Sequence, residues 1–153
     1  IRKKEGYELY QEMDMMDDLF ALRRGLLPDK FANAINRHDF GFNMIAVDIE
    51  KLANNRALFL NVGTKNFTYL EAGLPVIVNR EWTHTSDIIE ENGLGISIHH
   101  YEIDQLSEII AKFDYDQAVE NIQKYNTDNS LYNRIETLSG LYERILPEWK
   151  RKD

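Results

Sequence analysis

Cysteine is absent from this chain of 153 residues. Disulfide bonds, zinc sites with thiolate ligands and cysteine nucleophiles are therefore excluded, and the absence is compatible with a reducing compartment. Long apolar runs are missing as well. Stretches such as ALFL and LPVIV reach about five residues, whereas a membrane-spanning helix needs about 20. No secretory signal pattern is visible either, so we expect a cytoplasmic protein.

Basic residues are scarce relative to acidic ones. The chain has 18 Lys and Arg against 26 Asp and Glu, a formal net charge of −8. A broad basic surface for nucleic acid is thereby excluded, and any phosphate contact must be local. The apolar content of 43% is enough to form a core, and the length fits one domain. Because the chain opens at Ile1 without a methionine, we expect residues 1–153 to be a single, truncated domain.

Helix-like and strand-like patterns alternate along the chain. The predicted elements are strand Asp18–Leu27, helix Pro28–Arg37, strand Asp39–Val47, helix Thr64–Ala72, strand Pro75–Asn79, helix Thr85–Glu91, strand Leu94–Ile98, and helices around residues 103–113, 119–125 and 131–145. In the helix before Gly73, we expect Phe67, Leu70 and Ala72 to face inward. Such alternation predicts right-handed crossovers and a mostly parallel sheet that is covered by helices on both faces. The predicted fold is an open three-layer α/β sandwich with C-terminal helices.

Ligands of such sheets bind at the carboxyl ends of the strands, in the loops that lead into helices. Three segments occupy those positions: 42–47, 62–65 and 79–86.

A helix that starts at Gly63-Thr64-Lys65 would present free backbone N–H groups and the positive end of its dipole to an anion. Gly63 would allow a close approach, Thr64 offers a hydroxyl and Lys65 adds a charge. The segment is not a P-loop, because no glycine-rich run precedes the lysine. The ordinary alternative is that Thr64 caps the helix and Lys65 is a solvated surface charge.

The stretch TKNFTYLEAGLPVIVN resembles the signature of the C-terminal, nucleotide-sugar-binding half of GT-B glycosyltransferases. Upstream, LPDKFANAINRHDFGFNMIA resembles the part of that half in which a helix leads into a strand. Downstream, IIEENGLGISI resembles its next helix and strand. The three segments follow one another in the same order from about Leu27 to Ala111. The resemblance implies a Rossmann-like donor-binding domain of a bacterial enzyme similar to glycosyltransferase families 1 and 4.

The resemblance also implies roles for individual residues. Gly63, Thr64 and Lys65 take the positions that contact the donor diphosphate in the family. Asn43 stands where the family's donor loop begins, from which its amide could reach the nucleobase or the sugar. The alternative for Asn43 is a hydrogen bond to the backbone of its own loop.

Two positions depart from the family's pattern. Thr68 stands where the family has a glutamate that holds the ribose hydroxyls, and a hydroxyl cannot make the bidentate contact of a carboxylate. Glu71 would replace that glutamate only in a different register. Leu60 stands where the family has a second glutamate. Either the domain binds its donor in a different way from the common pattern, or it belongs to a divergent subfamily.

The resemblance further implies the partners and the chemistry. The expected partners are a nucleotide sugar and the N-terminal domain of the same protein, with no nucleic acid. Through that domain, peripheral association with the inner face of the membrane is also expected. No metal or other cofactor is required, because helix amides and Lys65 would stabilise the leaving diphosphate.

With its N-terminal half, the domain is expected to transfer a sugar in the synthesis of cell-surface polysaccharide, while the isolated domain is expected to be inactive. Two alternatives stay open. The first is a nucleotide-sugar epimerase of the same architecture, and the second is a non-catalytic interaction module that has lost the site.

Several other residues have ordinary interpretations. His84 could polarise a phosphate or a sugar hydroxyl, with a surface position as the alternative. His99 and His100 are predicted to be structural or on the surface. Asn66 begins the glycosylation acceptor pattern NFT, but its place in a predicted helix argues against modification. Trp149 is either an interface anchor or part of an unstructured tail.

Overall fold

A parallel sheet lies at the centre of the second of two compact units, residues 1–31 and 32–153. The computed structural model describes residues 5–23, 25–45 and 63–145. Its strands are β1 (Gly41–Asn43), β2 (Val76–Asn79) and β3 (Gly95–Ile98), in the order β1-β2-β3. Both pairings are parallel, so the carboxyl ends of the strands share one edge of the sheet.

The described residues also form seven α-helices and one 3-10 helix. They are α1 (Glu5–Met16), α2 (Pro28–Ile35), α3 (Thr64–Glu71), α4 (Thr83–Glu91), α5 (Leu106–Ala111), α6 (Tyr115–Asp128) and α7 (Leu131–Ile145), with a 3-10 helix at His100–Gln105. The predicted alternation of strand and helix is confirmed from β1 to β3. None of the described helices has the length and apolar character needed to cross a membrane.

The side chains of β2 alternate between two apolar layers. Val76 and Val78 belong to one layer and Ile77 to the other. The first layer contains buried Leu70, Ile89, Leu94 and Ile122 from α3, α4, the turn before β3, and α6. The second contains Ile96 and Ile98 of β3, with Phe40, Met44, Leu106, Ile109, Ile110 and Phe113 packed against them. The predicted three-layer α/β sandwich is therefore confirmed.

The two helices that precede β2 and β3 end in the same kind of turn. Gly73 has a φ of 82°, its N–H donates to the Leu70 carbonyl, and the N–H of Leu74 donates to the Tyr69 carbonyl. This pair of bonds is a Schellman motif, which favours glycine because the left-handed conformation strains other residues. Gly93, with a φ of 61°, ends α4 by the equivalent bonds. The predicted helix stop at Gly73 is confirmed.

The first unit differs from the prediction. The sequence predicts a strand at Asp18–Leu27, but the described residues of this range contain no strand. The N–H of Leu19 donates to the Asp17 carboxylate at 2.8 Å, and the N–H of Leu22 donates to the Asp14 carboxylate at 2.7 Å. Asp14 lies in the last turn of α1 and Asp17 directly follows the helix. Because their carboxylates satisfy these amides, the apolar residues here form turns rather than a paired strand.

Element boundaries differ in smaller ways from those predicted. The strand predicted at Asp39–Val47 is shorter, since β1 ends at Asn43 and residues 46–62 lie outside the described residues. The predictions for Leu60 and Trp149 lie outside them too. The helix predicted around residues 103–113 begins as a 3-10 helix before it becomes α5.

Candidate functional site

Among the described residues, no side chain caps the start of α3. Gly63 is the N-cap residue, with φ −62° and ψ 115°, and Thr64 is the first helical residue. The alternative in which Thr64 caps the helix is therefore wrong, because a residue inside the first turn cannot occupy the cap position. The first backbone N–H groups of a helix have no partner within it. The N-terminal end of α3 thus offers hydrogen-bond donors and the positive end of a helix dipole.

The inward face of α3 carries an asparagine where the sequence predicts an aromatic residue. Phe67 is 40% exposed, so its predicted inward position is wrong, whereas Asn66 is only 2% exposed. Leu70, four residues after Asn66, is buried as predicted. The Oδ1 of Asn66 accepts a hydrogen bond from the Nδ2 of Asn43 at 2.7 Å. The Nδ2 of Asn66 is buried and has no hydrogen-bond partner among the residues that the structure describes.

Gly63 lies directly against this pair of amides. A Cβ atom at Gly63 would come within 2.9 Å of the Asn43 Nδ2 and 3.3 Å of the Asn66 Nδ2. The absence of a side chain therefore leaves room for both amides at the end of the helix. The fold brings Asn43, at the end of β1, to Gly63 at the start of α3. Its amide donates to the side chain of Asn66.

The other predicted contact residues follow along α3. Lys65 is exposed in the first turn and makes no ion pair or hydrogen bond with any residue of the described ranges. The hydroxyl of Thr68 donates to the carbonyl of Thr64 at 3.3 Å, one turn earlier. Glu71 is exposed at the end of the helix. Lys65 is thus an exposed positive charge in the first turn of α3 that has no partner in the described ranges, and Thr68 is half-buried one turn away.

The model of a protein family matches most of the chain. The model of the family described as Glucosyltransferase 3-like, C-terminal domain, matches residues 9–130, which is more than half of the chain. The chain belongs to this family. The resemblance to the C-terminal domain of a glycosyltransferase is confirmed to that extent. No curated protein and no solved structure matches the chain significantly.

The glucosyltransferase 3-like domain has a second polar cluster, at the carboxyl ends of β2 and β3. The side chain of Glu81 is 9% exposed. One of its oxygens, Oε1, accepts hydrogen bonds from the Nδ1 atoms of His100 at 2.9 Å and His99 at 3.2 Å. The backbone N–H of His100 donates to the same oxygen at 3.2 Å. The histidines that the sequence predicts to be structural or on the surface are thus half-buried and bonded to a carboxylate.

The pKa of Glu81 reflects these contacts. Burial opposes ionisation and by itself raises the pKa. Four hydrogen bonds to the Glu81 carboxylate outweigh burial and lower its pKa from 4.5 to about 2. They come from the His100 side chain, the backbone of Glu81, the Asn79 side chain and the His100 backbone. Glu81 is therefore a carboxylate throughout the physiological range.

We expect this carboxylate to contribute to acid unfolding. Since its pKa is lower in the folded than in the unfolded domain, its stabilisation is fully present above about pH 4.5 and is lost as the pH falls through about 2. The uncharged variant Glu81→Gln should therefore show a shallower fall in the free energy of unfolding over this range. Urea unfolding at several pH values measures it. Glu143→Gln, which changes an exposed carboxylate of α7, is the control, and equal slopes for Glu81→Gln and wild type would contradict the expectation.

Other candidates occupy simpler positions in the domain. His84 is exposed in the first turn of α4, as its surface alternative has it. Asn66 is buried, which agrees with the interpretation that the NFT pattern is not modified. Within the ranges that the structure describes, no group of three or more His, Asp or Glu side chains is placed to hold a metal ion.

Two residues of these clusters are missing from the sequence-based candidates. Asn66 had a signal, because it lies four residues before Leu70 and shares its helix face. Glu81 lies in the predicted segment 79–86, but the sequence does not single it out there, because its partner His100 is distant in the chain and the two meet only where β2 and β3 pair.

Proposed function

We propose that this domain binds the donor of a GT-B glycosyltransferase, similar to families 1 and 4, which transfers a sugar from a nucleoside diphosphate sugar to an acceptor. The domain acts together with an N-terminal half of the same protein, in the cytoplasm, in cell-surface glycan synthesis. The observation that carries the proposal is the buried Nδ2 of Asn66 beside Gly63, at the start of α3, where the described residues supply neither a partner for this Nδ2 nor a side-chain cap.

An unpartnered buried N–H group is costly. Leaving such a donor unsatisfied costs about 1–3 kcal/mol, and buried polar groups are nearly always bonded. A ligand that supplies an acceptor to Asn66 would remove this cost. Because the donor lies at a helix N-terminus, the acceptor that fits is an oxygen with negative charge. A phosphate group of a nucleotide sugar has this chemistry.

The residues around Asn66 then have distinct roles. Gly63 admits the phosphate close to the backbone, and Lys65 adds a positive charge. In the reaction, the bond between the sugar and the β-phosphate oxygen breaks and its electrons stay on that oxygen. The acceptor oxygen bonds to the sugar and gives its proton to a base from the N-terminal half. The helix amides and Lys65 stabilise the charge on the leaving diphosphate without a metal ion.

The remaining contacts belong to the nucleoside and the sugar. Asn43 is held at Gly63 by Asn66, and from there it reaches the nucleobase or the sugar. Thr68 takes the position of the ribose contact with a single hydroxyl. Any association with the membrane is made by the N-terminal half.

Calorimetry with the full-length protein tests the proposal. Titration with UDP, GDP, inorganic pyrophosphate and UMP should show binding that depends on the diphosphate, so at least one nucleoside diphosphate should bind more tightly than UMP. No binding of any of the four, or equal binding of UDP, GDP and UMP, would contradict a donor-diphosphate site.

The variant Asn66→Asp separates ligand binding from folding. It keeps an oxygen that can accept from Asn43, but it replaces the free donor by a negative charge. We expect diphosphate binding to weaken about tenfold or more, because a charged hydrogen bond is lost and a repulsion is added. The helix dipole favours an acid in the first turn, but the carboxylate loses its hydration at a position that is 2% exposed, so the melting temperature should fall. Calorimetry at a temperature at which both proteins are folded separates this loss of stability from the loss of affinity.

Asn36→Asp is the matched control for this variant. It adds the same charge at an exposed position ahead of β1 and should leave the affinity for diphosphate unchanged. Wild-type affinity in Asn66→Asp would remove the observation on which the proposal stands.

A further inference from the structure

Asn79 extends the pairing of β1 and β2 beyond the end of the strands. The backbone pairing places Asn43 opposite Val78. One residue further, the fully buried side chain of Asn79 accepts from the N–H of Ile45 at 2.8 Å and donates to the carbonyl of Ile45 at 3.0 Å. A side-chain amide thus makes both bonds that a neighbouring strand would otherwise make to Ile45. This side chain thus bonds to the segment that follows Asn43.

Glu81 connects Asn79 to the end of β3. The Nδ2 of Asn79 also donates to the Oε2 of Glu81 at 3.1 Å. The other oxygen of Glu81 accepts from the side chain and the backbone N–H of His100. The bonds therefore run from the end of β1 through Asn79 and Glu81 to the residues after β3. Two side chains join all three carboxyl ends.

At the end of β1, this network of hydrogen bonds lies next to the candidate donor site. Asn43 lies two residues before Ile45, and its amide is bonded to Asn66 at the start of α3. A change in the position of Ile45 therefore moves the backbone that carries Asn43.

We propose that Asn79 and Glu81 are positioning residues for the donor site: they hold the end of β1 so that Asn43 and Asn66 stay paired beside Gly63. Neither residue needs to touch the donor. The inference rests on the proposed function, because it concerns the same site, and it adds two residues that act through Ile45.

Calorimetry with UDP, GDP and pyrophosphate on the full-length protein tests this role through the variant Glu81→Ala. Loss of the carboxylate frees the Asn79 amide from its link to β3, so the dissociation constant for the probe that binds should rise about 2- to 30-fold, the range expected when a residue acts at a distance. The number of binding sites per chain should stay at the wild-type value. A merely structural role would instead lower the number of competent sites and leave the dissociation constant of the folded fraction unchanged.

Two further variants complete the design. Glu81→Gln keeps an oxygen that can accept from His100 and should restore part of the affinity. Glu90→Ala is the matched control, because Glu90 is also bonded to a side chain of β3, Ser97, and to Arg80, but has no bond to Asn79. Its affinity should equal that of wild type.

Hydrogen exchange of the unliganded protein tests the same hydrogen-bond network in the absence of any nucleotide. A peptide that covers residues 42–45 should exchange faster in Glu81→Ala than in wild type, and as in wild type in Glu90→Ala. If wild type binds none of the probes, the proposed donor site is wrong and the inference is overturned with it. If wild type binds and Glu81→Ala binds equally well, or if exchange at 42–45 is unchanged, the positioning role alone is overturned.

Discussion

Replacing Lys65 with alanine should weaken the binding of a nucleoside diphosphate to the full-length protein by about ten- to a hundredfold. Hydrogen bonds to charged groups contribute about 1.5–3 kcal/mol, and each 1.4 kcal/mol changes a dissociation constant about tenfold. Lys65 is exposed and makes no ion pair with the described residues, so its removal leaves no described partner unsatisfied. The loss should therefore appear in binding and not in the melting temperature.

Calorimetry with UDP and UMP measures this effect and its origin. If Lys65 contacts the β-phosphate, the loss should be larger for UDP than for UMP. Lys65→Arg should retain part of the affinity, since it keeps the charge but changes its geometry. Lys112→Ala removes an exposed lysine at the end of α5 and should bind as wild type does. Equal binding by wild type and Lys65→Ala would show that Lys65 is an ordinary surface charge.

Replacing Ile122 with alanine should lower the free energy of unfolding by about 2–5 kcal/mol. Ile122 of α6 is 0% exposed and lies in the apolar layer with Val76, Val78 and Leu94. Its truncation removes buried methyl and methylene groups and leaves a cavity between α6 and the sheet. A loss of this size is a large part of the stability of a typical domain.

Urea unfolding of Ile122→Ala and Leu138→Ala makes the comparison. Both changes shorten an aliphatic helical side chain to alanine, but Leu138 of α7 is 41% exposed. We therefore expect Leu138→Ala to cost less than about 1 kcal/mol. Similar losses for the two variants would contradict the packing of α6 against the sheet.

The centre of the fold is predictable from the sequence because local signals agree there. Gly73 and Pro75 mark the start of an unbroken apolar run, and β2 is the buried strand that this pattern predicts. The first predicted strand, Asp18–Leu27, had an apolar pattern as well, but nearby carboxylates satisfy the amides of Leu19 and Leu22. Apolar composition alone does not show whether a partner strand exists.

The candidate site is predictable only in outline. The position of Lys65 at a helix start follows from the glycine before it and the helical pattern after it. The free amide of Asn66 does not follow, because it depends on how Asn43 approaches from another strand. The pairing of Glu81 with His100 likewise depends on the alignment of β2 with β3, which sequence spacing does not determine.

The order of the strands has a consequence for how the domain folds. Each strand of the described sheet pairs with the next strand along the chain, and β2 meets β3 across a single helix, α4. Contacts between close segments cost little loop-closure entropy and form quickly. The unit β2-α4-β3 can therefore form early, without waiting for distant segments. β1 and α3 leave the ribosome before this unit. β2 and β3 can therefore each pair with a strand that has already been synthesised, and the sheet can form during synthesis.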